Sequence, residues 1–313
     1  DKVEECLSRG IKPERIAFVS FTKKAAEEAG ERAMKQFSLE RNQLPYFRTL
    51  HSLCFQSTGF TRNEVMGKQD YAELGNMLGC KFSGYADMDG GPAVGGNEGD
   101  TMKMIDDFAK ARMISLKEAY HLNGGFVDWF RLKQVIDTIN VYKMDTGKGD
   151  FSDMLDRYLM NGDPVPVDVA IIDEAQDLST VQWKIVQKAF QDVKEIYVAG
   201  DDDQCIYEWS GADVNYFLSL KGKMTVLPVS YRVSKPVFAF ADKIVGNIKN
   251  RFHKDWAPAD HDGTVERFME FSGFDLSEGS WMLLARNSYF LQDFEEEIKM
   301  QGYAYKKGTK SSI

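Results

Sequence analysis

Two adjacent carboxylates, Asp173 and Glu174, follow the apolar run Val169-Ala170-Ile171-Ile172. A run of that kind reads as a buried strand, and in open α/β sheets ligands gather at the carboxyl edge of the strands. The arrangement suits phosphoryl transfer. One carboxylate can hold Mg2+, which bridges β- and γ-phosphate oxygens. Its neighbour can orient and deprotonate the attacking water. Asp173 takes the metal role and Glu174 the base role. A solvated helix N-terminus would also collect acids, because they complement the helix dipole. Gln176 and Asp177, which extend the string, weigh against that plainer reading.

Two further clusters follow. Gly200-Asp201-Asp202-Asp203-Gln204 and then Tyr207-Glu208-Trp209-Ser210-Gly211 come directly after a strand-like segment, Glu195 to Ala199. The Gln204 amide can sense a γ-phosphate. Trp209 offers a flat face on which a base can stack, at about 1 to 3 kcal/mol per base. Taken alone, the three aspartates read as a turn and Trp209 as core. The third cluster is Leu227-Pro228-Val229-Ser230-Tyr231-Arg232. An Arg that opens a second domain can reach across a cleft to a transferred phosphoryl group, and its planar fork suits that task better than Lys. A surface ion pair is the commoner fate of a single Arg.

The elements that must position these residues alternate between strand and helix. Residues 1–9 read as a helix ended by Gly10, and Ile16 to Val19 as a buried strand with Ser20 to Thr22 as the loop at its carboxyl end. Lys23 to Phe37 reads as a helix, and Thr49 to Phe55 as a strand or turn running into one. Alternation resumes with strands at Val167 to Ile172, Glu195 to Ala199 and Met224 to Pro228, and helices at Thr180 to Phe190, Val214 to Leu220 and Lys235 to Ile248. Gly263 to Phe268 and Trp281 to Ala285 are expected strands, and Phe290 to Gln301 a helix ended by Gly302. β-α alternation predicts parallel sheets with helices on their faces. The intervening 56–149 reads as a mostly helical insertion, with helical patches at Thr101 to Ile114 and Val127 to Tyr142. It includes a Gly-rich loop at 84–99 that has too few apolar residues to order itself well.

At 313 residues the chain exceeds one compact domain. Apolar residues make up 43%, enough for sizeable cores. Its formal charge of −9 excludes a protein that coats nucleic acid with its whole surface, but not a local basic groove. Cys6, Cys54, Cys80 and Cys205 lack paired spacing and fit reduced thiols. No apolar run reaches the roughly 18 to 20 residues that a bilayer span needs. A cytoplasmic protein, bacterial or phage-encoded, is expected. The chain opens at Asp1 inside an amphipathic segment and closes on a polar tail, so a piece of something longer is also expected.

In their order and spacing, the three clusters resemble superfamily 1A DNA helicases of the UvrD/PcrA/Rep family. Upstream and downstream segments agree. Phe21-Thr22-Lys23-Lys24-Ala25-Ala26 resembles the family's TFTNKAA motif, Thr49-Leu50-His51-Ser52 its TxHS motif, and Asp150-Phe151-Ser152-Asp153-Met154-Leu155 its DFDDLL segment. Ala285-Arg286-Asn287 and the closing Gly302-Tyr303-Ala304-Tyr305 are similar to a stretch of its second motor domain. The resemblance runs from about residue 11 to 305.

It implies an α/β fold with a RecA-like parallel-sheet motor domain at 1–55 and 150–228, the helical insertion at 56–149, and part of a second RecA-like domain at 229–313. It implies ATP and Mg2+ as cofactors, and single-stranded DNA or single/double-strand junctions as partner. Asp173 would hold the metal and Glu174 act as base. Gln204 and Arg232 would contact the γ-phosphate, and Tyr231 would stack on adenine. Phe21, Thr22, His51, Tyr207 and Trp209 would line the single-strand path. Several positions depart from the family pattern. Glu208 and Ser210 stand where basic residues usually flank the Trp, Lys23 where an Asn is usual, and Ser230 where an Asn precedes Tyr231-Arg232. No GxxxxGK[ST] occurs in the chain. The family's phosphate-cradling loop would precede Asp1. Two expectations follow: an ATP-driven DNA translocase in the longer protein, and, for this chain by itself, an ATP-silent module that binds nucleic acid or a partner.

Overall fold

A computed structural model describes residues 2–83, 97–269, 275–285, 288–307 and 310–311. They form two compact units. The first comprises Asp1–Thr225 and Ile248–Lys254, the second Val226–Asn247 and Asp255–Ile313.

In the first unit, α1 (Lys2–Ser8) precedes β1 (Ile16–Ser20), α2 (Lys23–Phe37), β2 (Phe47–Thr49) and α3 (Leu50–Ser57). Four helices follow, α4 (Lys68–Leu78), α5 (Glu98–Arg112), α6 (Leu116–Leu122) and α7 (Trp129–Thr146), and then α8 (Phe151–Asn161). β3 (Val169–Asp173), α9 (Thr180–Ala189), β4 (Glu195–Val198) and α10 (Val214–Leu218) complete it. The four strands form one parallel sheet in the order β2-β1-β3-β4. This is the α/β, RecA-like architecture expected.

Both faces of the sheet are covered. Ala17, Val19, Ala170 and Ile172 point into one core with Leu50, Leu53, Trp183 and Ile185. The alternate residues Ile16, Val169 and Ile171 point into the other with Cys6, Leu44 and Phe47. A strand buried on both faces needs apolar residues at every position, which is why β1 and β3 are continuous apolar runs. Because the strands are parallel, the loops after β1, β3 and β4 all leave the same sheet edge. Two of the helices there start on side-chain caps. Thr22 Oγ1 accepts from Ala25 N–H at 3.2 Å, and Thr49 Oγ1 from Ser52 N–H at 3.2 Å.

Helices α4 to α7 pack around their own core of Leu74, Met102, Ile105, Leu132, Val135, Ile136 and Ile139. Helix α5 opens at Glu98 and α7 runs on to Thr146, a few residues beyond their expected bounds. Most of the expected Gly-rich loop, 84–96, lies outside the described residues. A buried ionic cluster joins these helices to α8. Lys143 Nζ lies 2.6 Å and Lys103 Nζ 3.0 Å from Asp150 Oδ2, Lys143 also lies 2.7 Å from Asp153, and Lys103 pairs with Asp107. Asp150 also caps α8, accepting from Asp153 N–H at 3.1 Å. Burial works against its charge, but Lys103, Lys143 and Lys110 outweigh it and hold the carboxyl well below the usual range.

The second unit departs from expectation. It holds α11 (Lys235–Val245) and α12 (Leu291–Met300), a single bridge between Val229 and Ala257, and a two-residue antiparallel pairing of Lys306–Lys307 with Lys310–Ser311. The strands expected at Gly263 to Phe268 and Trp281 to Ala285 are not formed, nor is the one at Met224 to Pro228 that leads into the unit. The expected second RecA-like sheet is therefore absent among the described residues. A strand is a pairing and not a property of one segment, and these segments meet no neighbour that completes a ladder. Their apolar side chains stay outside, with Met282 81% and Leu284 80% exposed. Arg286 and Asn287 lie outside the described residues.

The ionic cluster yields a stability prediction. Asp150→Ala leaves two buried ammonium groups without their shared carboxylate and removes a helix cap. A loss of about 3 to 5 kcal/mol is expected in urea denaturation, against little change for Asp137→Ala in the exposed Lys133–Asp137 pair.

Candidate functional site

β3 delivers Asp173 to the sheet edge, in register with Ser20 of β1. The next residue, Glu174, has φ 52° and ψ 41°, the left-handed region that costs a non-glycine residue about 1 to 2 kcal/mol. Its neighbours enforce that conformation. Ala175 N–H donates to Ala199 O at 3.0 Å, and Ala199 N–H donates to Ile172 O at 2.8 Å. The buried Gln176 side chain then ties two loops together. Its Nε2 donates to Glu174 Oε2 at 2.8 Å, and its Oε1 accepts from Asp201 N–H at 3.1 Å. Gly200 makes room for it: a Cβ there would lie 2.7 Å from Gln176 Oε1 and 3.1 Å from the Phe217 ring.

Asp173 is half-buried and Glu174 exposed. Burial, and then the charge of Glu174, raises the Asp173 carboxyl above its ordinary value. Among the described residues no basic side chain pairs with either carboxylate, and the buried Ser20 Oγ beside Asp173 has no hydrogen-bond partner. The described residues contain no cluster of three or more protein ligands for a metal. Magnesium fits this setting, because it keeps most of its waters and takes one or two carboxylates together with substrate phosphates.

Gln204 sits at the end of the turn after β4. Its Nε2 donates to Asp201 Oδ2 at 2.6 Å, which orients the amide. The three aspartates do not form a free turn. Arg251 and Lys254, from the stretch that returns to the first unit, pair with them. Neither residue stood out in the sequence, and neither did Gln176 as the link between Glu174 and Asp201. The partners of Asp201 to Asp203 lie about fifty residues downstream, where no local pattern signals them.

Phe21, Tyr207 and Trp209 come together on the same edge. The ring centroids of Phe21 and Tyr207 lie 5.5 Å apart, and those of Tyr207 and Trp209 6.4 Å. Trp209 is 37% exposed. Its loop is braced from α5, where Arg112 Nη1 donates to Ala212 O at 2.8 Å. Gly211 has φ +105°, and a Cβ there would lie 2.6 Å from Ala111 Cβ. Ser210 Oγ donates to Tyr207 O at 2.9 Å, and Glu208 is exposed. Thr22 caps α2. His51, the second residue of α3, meets Phe151 edge-on at 6.3 Å, and burial holds its imidazole at about 4, so it is neutral near pH 7. Tyr231 and Arg232 belong to the second unit. They are exposed on a turn where Ser230 Oγ accepts from Arg232 N–H at 3.3 Å.

Asp177 is buried beside this site, and its Oδ1 has no partner. Burial, and then the charge of Glu174, pushes it up to about 7, against a weak opposing contact from Gln176. The folded chain therefore binds this proton more tightly than the unfolded chain, and ionising Asp177 costs stability progressively between about pH 4 and pH 7. Asp177→Asn removes that cost. The urea midpoint of the variant is expected to gain on that of the unmodified chain as pH rises from 5 to 8. A constant difference across that range would refute the assignment.

The UvrD/REP helicase N-terminal domain family matches residues 1–66 and 164–225, on either side of the helical insertion. The chain is 24% identical to a putative ATP-dependent DNA helicase, YjcD, of Bacillus subtilis, over 93% of this chain and 39% of that protein. It is 24% identical to the ATP-dependent DNA helicase PcrA of the same organism, over 80% of this chain and 36% of PcrA. It is 22% identical to the ATP-dependent DNA helicase Rep of Buchnera aphidicola, over 77% of this chain and 38% of Rep. The chain thus spans about two-fifths of the length of these relatives. Residues 1–66 and 164–225, with their parallel sheet and acidic edge, are thus similar to UvrD/REP helicase N-terminal domains, and in this chain they lie on either side of a helical insertion.

Proposed function

We propose that this chain is part of an ATP-driven motor that moves along single-stranded DNA or at single/double-strand junctions. One observation carries the reading: Glu174, Gln176, Asp201 and Gln204 form an unbroken hydrogen-bonded series on the same sheet edge as the Phe21, Tyr207 and Trp209 rings. A hydrolysis site and a stacking surface on consecutive loops are what a translocase must couple. Phe21, Tyr207 and Trp209, with Thr22 and His51 further along the path, contact the strand. Stacking is indifferent to base sequence, and so suits movement along any strand. His51 contributes without charge.

Magnesium at Asp173 supplies charge neutralisation for the phosphate oxygens. Glu174 orients the attacking water and takes its proton, held in aim by Gln176. Gln204 senses the γ-phosphate from the turn after β4. Arg232 is proposed to lend charge to a phosphate, and Tyr231 a face to an adenine. The GxxxxGK[ST] cradle is not among these 313 residues, so the proposed activity belongs to a protein that also contributes one. This supports the view that the chain by itself binds DNA without turning over ATP.

Two variants test the reading in the whole protein. Glu174→Gln should lower DNA-stimulated ATP hydrolysis by about 10²- to 10⁴-fold while leaving single-strand affinity in place. Trp209→Ala should weaken binding of a fluorescent oligonucleotide by about 5- to 150-fold, as the loss of one stacked base predicts. Undiminished turnover in the first variant would sink the assignment. DNA binding without any ATP hydrolysis in the unmodified protein would favour the ATP-silent module instead.

A further inference from the structure

The turn that carries Gln204 begins with three consecutive aspartates, and Asp202 is buried. Three neighbouring carboxylates repel one another and would open the turn unless cations held them. The chain provides those cations in an unusual way. It leaves the first unit after Thr225 and returns for Ile248–Lys254 alone before leaving again. That short return carries two cations, Arg251 and Lys254, that between them pair with all three aspartates. Arg251 makes a bidentate pair with Asp203, both contacts 2.7 Å. Lys254 Nζ lies 2.6 Å from Asp201 Oδ1 and 2.8 Å from Asp203 Oδ2, and also pairs with Asp202. Between them, Phe252 N–H donates to Asp202 Oδ2 at 2.8 Å. The Phe252 ring meets Phe217 edge-on at 6.4 Å, which anchors the stretch in the apolar core. Burial works to lower the Lys254 pKa, yet the three aspartates outweigh it and raise it.

Asp201 is the branch point. Its Oδ1 takes Lys254, its Oδ2 takes the Gln204 amide, and its backbone N–H leads through Gln176 to Glu174. We propose that Arg251 and Lys254 are positioning residues for the acidic site, locking the Asp201–Gln204 turn and thereby fixing both Gln204 and Glu174. This rests on the roles proposed above for those two residues. The clamp touches no reacting atom and acts through Gln204 and Glu174, so its effect falls chiefly on the rate of the chemical step.

Lys254→Met tests the clamp, with Lys254→Arg as the conservative rescue and Asp203→Asn as a second break from the opposite side. Hydrogen exchange in this chain reads the turn directly. Amides of residues 200–206 should exchange about ten-fold faster in Lys254→Met and Asp203→Asn, with exchange at β1 and β3 unchanged, and Lys254→Arg should restore most of the protection. In the whole protein, Lys254→Met should lower kcat for DNA-stimulated ATP hydrolysis about ten-fold, with a smaller change in KM, and Lys254→Arg should restore it. Unchanged exchange at 200–206 overturns the clamp, whatever the activity. Faster exchange with an unchanged kcat overturns its positioning role. An unmodified protein that hydrolyses no ATP counts against the function proposed in the preceding subsection, and the clamp is then decided by exchange alone.

Discussion

Glu174 occupies a backbone conformation that a glutamate avoids, and much of the acidic edge is arranged around keeping it there. The amide of Gln176 is the fastening. It is buried, it holds the glutamate carboxylate on one side, and it receives the backbone of the next strand's loop on the other. Only a glycine at position 200 leaves room for it. A strained residue persists when its surroundings over-determine it. Here β3 and β4 meet that condition by exchanging backbone hydrogen bonds just past the strand ends.

The first unit was legible in the sequence because its strands are buried on both faces. Up to the polar residues that end them at the sheet edge, Ser20 and Asp173, β1 and β3 have to be apolar throughout, so the runs stand out without periodicity analysis. The start of α2 at Lys23 was legible from composition, and the structure adds a local reason for it, the cap that Thr22 places on the turn that follows. What the sequence concealed is non-local. Arg251 and Lys254 look like ordinary surface cations until the fold brings them to Asp201 through Asp203. In the second unit the composition of Gly263 to Phe268 and Trp281 to Ala285 suggested strands, but a strand also needs a partner, and composition says nothing about partners. Of the proposed site residues, Phe21, Tyr207 and Trp209 were placed together, and Glu174 and Gln204 were joined by hydrogen bonds. His51 meets the Phe151 ring edge-on.

Charge distribution reconciles an acidic chain with the nucleic-acid role proposed for it. The net charge of −9 is an average over a surface and a buried network. Asp150, Asp153 and Asp107 are spent on Lys103 and Lys143 inside the junction of α5, α7 and α8. Asp201, Asp202 and Asp203 are spent on Arg251 and Lys254. Each group sets two cations against three carboxylates and so projects less negative charge than its aspartates alone would, and Glu208 stands as the exposed acid next to Trp209. Stacking can then act over a surface that is less repulsive than the overall charge suggests.

The return of Ile248–Lys254 to the first unit also has a temporal side. A ribosome releases the sheet and its three aspartates well before their cations, for Arg251 follows Asp203 by 48 residues and Lys254 follows Asp201 by 53. At about 5 to 20 residues per second that delay is on the order of 2 to 10 s. During it, the nascent chain holds a nearly finished sheet whose acidic turn is still unneutralised. The turn therefore waits on translation for its cations, and codon speed between Asp203 and Lys254 sets how long it waits.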